Sequence, residues 1–183
     1  MLYISFDIGI HHFAYSILKI EKEVEWDLID MDCYDFLKNE NANEVKLDQV
    51  FWTNFHNYIK SLHDRLEKCD ICLIERQMGF RNRVNYKAIQ LGSQLMAHLV
   101  LFFPGMKIIE YPSTQKTKIF KQSIASWNKR KEWSIEYVYE LLENKKDEIV
   151  IGWLEQFSKK DDICDTILMI LAYNIEKKKI NYK

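Results

Sequence analysis

The sequence predicts an α/β fold in which a three-stranded β-meander is followed by two parallel strands and flanked by helices. Three short apolar runs, Leu2–Ile8, Phe13–Ile20 and Val24–Cys33, follow one another with only a few residues between them. Two later apolar runs, Asp70–Glu75 and Met106–Tyr111, each come after a long helical pattern, which is typical of parallel strands joined by crossover helices. The five runs together predict one mixed five-stranded sheet.

The first strand carries one acid, Asp7, close to its end, and Gly9 marks a tight turn before the second strand. A carboxylate in a central strand is unfavourable unless a metal, a hydrogen-bond donor or water satisfies it. Asp7 therefore needs partners from elsewhere in the chain. We interpret His11 and His12 as ordinary turn residues, and the alternative is that they help to hold a metal or a phosphate.

Four segments show helical spacing of apolar residues. Glu44–Lys68 and Arg83–Phe103 are predicted to pack on the sheet, and Pro104 ends the second of them. Lys131–Asn144 and a last helix over Lys159–Lys178, which Ser158 could cap, complete the set. The polar connections between these elements are Tyr34–Asn43, Arg76–Asn82 and the basic stretch Ser113–Lys131.

The composition indicates one globular domain over residues 1–183, with 48% hydrophobic and 14% aromatic residues. The longest apolar run, around Leu99–Phe103, is far too short for a membrane span. A strand at the N-terminus leaves no room for a signal peptide, so we expect a cytoplasmic protein that is not secreted. Cys69 and Cys72 lack a second ligand pair nearby, which favours reduced core thiols over a zinc site.

Positive charge is concentrated in the middle of the chain. Between Arg76 and Lys131 there are eleven Lys or Arg residues and a single acid, Glu110, which gives this segment a charge of +10 although the whole chain carries −1. A long interval that excludes acids points to a polyanionic partner, and a set of unrelated solvated faces is the alternative. We call this interval the basic segment.

Four carboxylates are candidates for one site. Asp7 and Glu75 end strands of the buried type, and Asp162 and Asp165 lie three apart on one face of the last predicted helix. Asp161 leaves the register of that pair ambiguous, and Asp162 is preferred because it keeps the three-residue spacing. Acids that converge repel one another unless a cation joins them, and Mg²⁺ prefers oxygen ligands. Two such ions about 4 Å apart would serve an in-line phosphoryl displacement.

The order of three motifs resembles that of the RNase H-like Holliday junction resolvases, in particular the poxvirus-type enzymes, which are similar to bacterial RuvC. The motifs are FDIG around Asp7, LIERQ around Glu75, and DDICD with the late Asp pair. LGSQLMAHLV, at Leu91–Val100, resembles the helix that follows the Glu, and YPSTQKTK, at Tyr111–Lys118, resembles the Tyr/Pro-then-Lys stretch. No single motif is specific, but their order and spacing over most of the chain are.

The resemblance implies an RNase H-like fold and a dimeric, Mg²⁺-dependent endonuclease that nicks four-way DNA junctions symmetrically. In a poxviral setting, and hence in host cytoplasm, it would resolve replicated genome concatemers. Asp7, Glu75, Asp162 and Asp165 would hold two Mg²⁺ ions, with Mn²⁺ as a possible substitute. The implied partners are branched DNA and a second copy of the chain, with no membrane and no nucleotide cofactor.

Lys116 and Lys118 follow a strand that should end at the same edge of the sheet as Asp7 and Glu75. One of these lysines could stabilise charge on the scissile phosphate, and Lys116 is slightly favoured. RuvC has an aromatic residue after its Glu that wedges the DNA, and Phe80 and Met78 are both candidates for that place. The residues expected to contact DNA are Arg76, Phe80, Arg81, Arg83, Lys118, Lys121, Lys129, Arg130 and Lys131.

Three other functions share part of this pattern. A DIG turn before a hairpin also opens the sugar-kinase and actin-like ATPase fold, but that fold needs two such domains and 183 residues are too few. A non-catalytic DNA-binding module would not need the full carboxylate set. Ribonuclease H and transposases share the fold and the acids, and the late Asp-x-x-Asp pair favours the resolvases over them.

Overall fold

The five predicted strands form one mixed sheet in the order β3-β2-β1-β4-β5. The computed structural model describes residues 1–21, 25–37, 45–77, 85–120 and 126–181, without the side chains of residues 127 and 179–181. β1 pairs antiparallel with β2, and β2 with β3, whereas β4 runs parallel to β1 and β5 runs parallel to β4. This confirms the predicted meander followed by parallel strands. The bounds are β1 Leu2–Asp7, β2 Phe13–Ile20, β3 Trp26–Tyr34, β4 Ile71–Arg76 and β5 Lys107–Pro112.

Helices cover both faces of this sheet. No helix within the described ranges is long and apolar enough to cross a membrane. The bounds are α1 Gln49–Ser61, α2 His63–Leu66, α3 Tyr86–Phe102, α4 Ser113–Ile119, α5 Trp127–Lys145, α6 Glu148–Leu154 and α7 Lys160–Asn181.

The helix predicted over Glu44–Lys68 is wrong in its extent. Asp48 caps α1 by accepting a hydrogen bond from the Phe51 amide at 3.0 Å, so the helix begins at Gln49. It ends at Ser61. The next residue, Leu62, donates its amide hydrogen to the Ile59 carbonyl, a tighter three-residue bond that separates α1 from the single turn of α2. The hydrophobic stripe is continuous through this break, which is why periodicity alone merged the two helices.

Two short helices have no counterpart in the sequence prediction. α4 starts directly after Pro112, inside the stretch expected to be merely polar and basic. α6 begins where Asp147 caps the Val150 amide, and it buries Val150 and Leu154. Each has only seven residues, too few for a hydrophobic period to stand out. The predicted Arg83–Phe103 helix begins at Tyr86 among the described residues, and α5 begins earlier than predicted, at Trp127.

The sheet separates two hydrophobic cores. α1, α2 and α3 pack on one face, around Phe55, Leu91 and Leu95. α5, α6 and α7 pack on the other, where α7 lies along β1 and β2 with Ile163, Ile167 and other apolar residues buried. Each buried aliphatic side chain contributes roughly 1.5–3 kcal/mol to stability. β4 is buried on both faces from Ile71 to Ile74, as its uninterrupted apolar run predicts.

The register places one row of side chains at the end of the sheet, facing α7. Side chains alternate between faces along a strand, and directly paired residues point to the same face. The Ser5 hydroxyl donates to the Thr166 carbonyl of α7 at 2.7 Å, so Asp7, two residues on, faces α7 as well. Asp7 pairs with Ala14, and Ala14 pairs with Cys33. The row therefore runs across three strands beneath the first turns of α7.

Candidate active site

Asp7 and Glu75 meet because they end neighbouring parallel strands. The last paired residues of β1 and β4 are Phe6 and Ile74, and each acid directly follows one of them. The Asp7 carboxyl is hydrogen-bonded to Glu75. Burial raises the pKa of Asp7 well above its usual value, the charge and hydrogen bond of Glu75 and the charge of Asp165 raise it further, and Lys116 opposes them. The structure therefore places Asp7 and Glu75 side by side at the ends of adjacent strands.

Lys116 and Asp165 form the centre of this cluster. Lys116 lies on α4 with only 8% of its surface exposed, and its Nζ is 2.6 Å from Asp165 Oδ2. Burial lowers the pKa of Lys116, but the charges of Asp165 and Glu75 and the hydrogen bond to Asp165 outweigh burial, so the pKa is raised. The lysine therefore stays charged and serves as an internal counter-ion for the acids. Lys118, the alternative, is exposed on the same helix.

Ser134 holds the other oxygen of Asp165. Its hydroxyl lies 2.5 Å from Asp165 Oδ1 and 2.9 Å from the Arg130 carbonyl, and the side chain is 1% exposed. Both carboxylate oxygens of Asp165 are thus engaged by the protein. Sequence reasoning missed Ser134, although the sequence held one signal. Ser134 falls four residues before Val138 and eight before Leu142, which places it on the buried stripe of α5.

Asp162 lies one turn before Asp165 and has a different set of neighbours. Lys131 Nζ is 3.2 Å from Asp162 Oδ1 and also forms an ion pair with Asp161. Burial and the charge of Asp161 raise the pKa of Asp162 to about 6, although Lys131 acts in the opposite direction. Burial raises the pKa of Asp161, but the hydrogen bond and charge of Lys131 outweigh burial, so the pKa of Asp161 is lowered. One lysine therefore bridges the two acids whose register was ambiguous in the sequence.

All four predicted acids line one open pocket of about 900 Å³. Asp161 is not among the described residues of its wall, which is consistent with the choice of Asp162. Carboxylate oxygens are the ligands that Mg²⁺ prefers, and a cation would relieve the repulsion among acids that surround Asp7, so this donor set fits a divalent metal. The wall also contains His11, His12, Gln77, Asn85, Tyr86, Lys87, Lys131 and Lys159.

The predicted DNA contacts lie in several places. Arg76 is exposed at the end of β4, next to Glu75, and Lys129 is exposed in the first turn of α5. Arg130 and Lys131 are half-buried, and Lys131 faces the acids rather than open solvent. Four of the expected DNA contacts, and the alternative wedge residue, lie outside the described residues: Phe80, Arg81, Arg83, Lys121 and Met78.

Comparisons with known proteins agree with this architecture. Uncharacterized protein 97L of Invertebrate iridescent virus 3 is 31% identical over 107 residues, which are 58% of this chain and 48% of that protein. The matched region therefore spans about half the length of 97L. The fowlpox virus resolvase, solved with substrate Holliday junction DNA, superposes with a TM-score of 0.60 at 23% identity, covering 97% of this chain and 99% of the resolvase.

Thermus thermophilus RuvC superposes with a TM-score of 0.63 at 19% identity, covering 98% of this chain and 96% of RuvC. These likenesses confirm the RNase H-like fold that the sequence motifs predicted. A family model described as Poxvirus A22 protein matches residues 1–177, nearly the whole sequence. The chain belongs to the Poxvirus A22 protein family.

Proposed function

We propose that this protein is a divalent-metal-dependent endonuclease that resolves four-way DNA junctions by symmetric nicking, in the processing of viral genome concatemers. The observation that carries the proposal is the convergence of Asp7, Glu75, Asp162 and Asp165 on one pocket, with Lys116 buried beside them. Members of the same fold include a resolvase solved with its junction substrate. The pocket, the acids and the +10 basic segment are the parts such a nuclease needs.

The four acids would hold Mg²⁺, as two ions, with Mn²⁺ as a substitute. Bound there, the metal would supply Lewis-acid stabilisation of charge on the scissile phosphate and a nucleophilic water. Asp7 and Glu75 come from rigid central strands, so their oxygens stand in fixed positions for the ions. Asp162 and Asp165 come from the first turns of α7 and line the same pocket.

Lys116 and Ser134 would position Asp165 for this chemistry. Ser134 fixes one carboxylate oxygen and Lys116 contacts the other, at 2.5 and 2.6 Å. With Asp165 engaged by a divalent ion, the Lys116 ammonium would be free to contact a phosphate oxygen of the substrate. A lysine in that position stabilises the negative charge that develops as the phosphodiester bond breaks.

The exposed cations around the pocket would hold the DNA backbone. Arg76 adjoins Glu75 on β4, Lys118 extends from α4, and Lys129 opens α5. Contacts of this kind position the substrate without reading its sequence. Symmetric nicking needs two active sites, and one chain supplies one set of acids, so the functional unit would be a homodimer.

The test compares cleavage with binding. Labelled four-way junction, plain duplex and RNA–DNA hybrid are each incubated with the protein and Mg²⁺. We expect paired, symmetric nicks in the junction alone. Asp7→Asn should fold, bind junction and lose at least about a hundredfold in cleavage, because metal-bound charge stabilisation contributes several kcal/mol. Mg²⁺ should also raise the melting temperature of the wild type more than that of the variant.

Asp161→Asn is the matched control, since Asp161 adjoins the pocket acids on the same helix turn and pairs with the same lysine as Asp162. It should cleave at nearly the wild-type rate. A folded Asp7→Asn protein that nicks junctions as fast as wild type would overturn the catalytic assignment. Preferential cleavage of the RNA strand in the hybrid would instead favour a ribonuclease H activity.

A further inference from the structure

A second group of metal-ligand side chains lies at the rim of the carboxylate pocket. His12, Cys33 and Asp162 each offer one donor atom, and these atoms all lie within 4.8 Å of one another. Within the described parts of the chain this is the one such group of three His, Cys, Asp or Glu residues. The four acids of the proposed nuclease site supply only Asp162 to it, so it is a separate constellation.

The sheet register brings Cys33 to this position. Cys33 on β3 pairs with Ala14 on β2, which pairs with Asp7 on β1, so all three side chains face α7. Ala14 carries only a methyl group and is fully buried, and α7 packs on its strand. Asp162 belongs to the first turn of α7 and lies beside Cys33. Because β2 separates β3 from β1, Cys33 lies on the side of Ala14 that is away from β1.

The β1–β2 turn places His12 on the third side. A side chain on Gly9 would put its Cβ 2.7 Å from the His12 carbonyl oxygen, so the turn can close this tightly only with glycine at that position. His12 directly precedes β2 and is half-buried, and its ring also lines the pocket wall. Three separate elements therefore fix the three donors: a tight turn, an edge strand and a helix start.

The donor types distinguish this group from the acids next to it. Mg²⁺ takes oxygen ligands, whereas a thiolate and an imidazole suit Zn²⁺ and similar transition ions. Three protein ligands of the His, Cys and carboxylate kind leave a tetrahedral ion one open position, which water fills. Lys131 contacts both Asp162 and Asp161. If an ion displaced Lys131 from Asp162, the lysine would keep its ion pair with Asp161.

We propose that His12, Cys33 and Asp162 form a binding site for a Zn²⁺-class transition ion, and that occupation of this site inhibits the nuclease. The inhibitory part rests on the proposed function, because it follows from the sharing of Asp162 with the Mg²⁺ set. An ion held by Cys33 and His12 withdraws the Asp162 carboxylate from the catalytic ions. The binding part stands on the geometry alone.

The binding test uses Co²⁺ as a spectroscopic probe, without DNA and without any assay of cleavage. Reduced, metal-free protein is titrated with Co²⁺, and the thiolate-to-cobalt absorption band is recorded together with the number of ions bound. Wild type should bind one ion per chain with this band. Cys33→Ser should lose the band, and His12→Gln should bind more than about tenfold more weakly, since even outer-shell partners of a metal change affinity by that much.

His11→Gln is the matched control, because His11 occupies the same turn but lies outside the three-residue group. It should bind Co²⁺ as wild type does. No thiolate band in the wild type would overturn the site, and so would a band that survives in Cys33→Ser, because the thiolate would then belong to another cysteine. Circular dichroism shows whether Cys33→Ser has lost the band merely because it is unfolded. In that case the Co²⁺ affinity of His12→Gln decides whether the site exists, and wild-type affinity in that variant would overturn it.

The inhibition test adds Zn²⁺ to junction cleavage supported by excess Mg²⁺. Wild type should be inhibited at Zn²⁺ concentrations that leave Cys33→Ser active. Equal inhibition of both proteins would overturn the regulatory part of the proposal. If no protein cleaves at all, the proposed nuclease function fails while the cobalt titration still decides the binding site.

Discussion

At the scale of single residues, Asp165 is the best-supported side chain of the site. Lys116 contacts one of its oxygens and Ser134 the other, so the carboxylate has one defined orientation. Hydrogen bonds that orient a metal ligand influence metal affinity and turnover, whereas DNA binding is expected to depend on the exposed cations. This makes Ser134 a positioning residue whose effect can be separated from its contribution to folding.

Ser134→Ala should lower the turnover number for junction cleavage about tenfold, because Asp165 loses its fixed orientation, and leave the Kd for junction DNA unchanged. The stability loss should be about 1 kcal/mol, the usual net value of one buried hydrogen bond. Single-turnover cleavage and a binding titration measure the two quantities. Ser93→Ala removes a comparable serine-to-backbone bond on α3 and should leave turnover intact. Equal losses of turnover in both variants would contradict the role of Ser134.

At the scale of elements, the strands were predictable and the short helices were not. Each strand is a run of apolar or β-branched residues whose burial dictates its pattern, and the predicted Phe13–Ile20 strand agrees with β2 at both ends. α4 and α6 depend on a proline and a capping aspartate, local signals that a periodicity search does not weigh. The four acids were predictable because they follow strands or share a helix face.

Residues brought together only by register were not predictable. Cys33, His12 and Asp162 come from three distant parts of the sequence, and nothing in the sequence around Cys33 shows that it pairs beside Ala14. The same holds for His98, His56 and His63, which join α3 to α1 and α2. His98 Nδ1 lies 3.3 Å from His56 Nδ1, and its Nε2 lies 2.8 Å from His63 Nε2.

This histidine chain predicts a loss of stability in acid. Burial lowers the pKa of His98 from 6.5 to about 4, and the charges of His63, His56 and Lys60 act in the same direction. The unfolded chain therefore binds more protons than the folded one between these values, so stability is complete above pH 6.5 and falls as the pH drops toward 4. The loss should reach up to about 3 kcal/mol.

Urea unfolding at several pH values measures this effect. His98→Gln keeps a donor and an acceptor at the position but cannot titrate, so its stability should change less between pH 6.5 and 4 than that of the wild type. His11→Gln, in the β1–β2 turn away from the three histidines, serves as the control and should follow the wild type. Parallel stability curves for wild type and His98→Gln would show that His98 does not govern the acid response.

At the scale of the whole molecule, α3 carries a group of exposed apolar side chains among the described residues. Near its C-terminal end Val100, Leu101 and Phe102 are 55%, 75% and 55% exposed. Neighbouring exposed apolar side chains of this size are typical of protein–protein contacts. The surface is therefore the best candidate for the contact of the homodimer proposed above.

Leu101→Lys should shift the protein from dimer to monomer, because a charge at an apolar contact weakens association at least about tenfold. Analytical ultracentrifugation over a concentration series measures the change. Ile149→Lys on α6 places the same charge at a residue with 79% exposure away from α3, and it should remain dimeric. A wild-type protein that is monomeric both free and junction-bound would remove the basis for the contact and for the dimer.

The buried lysine of α4 has a consequence for the life history of the molecule. A zinc finger owes its shape to its ion and unravels when a chelator removes it. Here the Lys116 ammonium contacts Asp165 and offsets part of the repulsion among the clustered acids. We therefore expect the folded protein to withstand a chelator. In the proposed nuclease the divalent ion would then govern turnover rather than the stability of the fold.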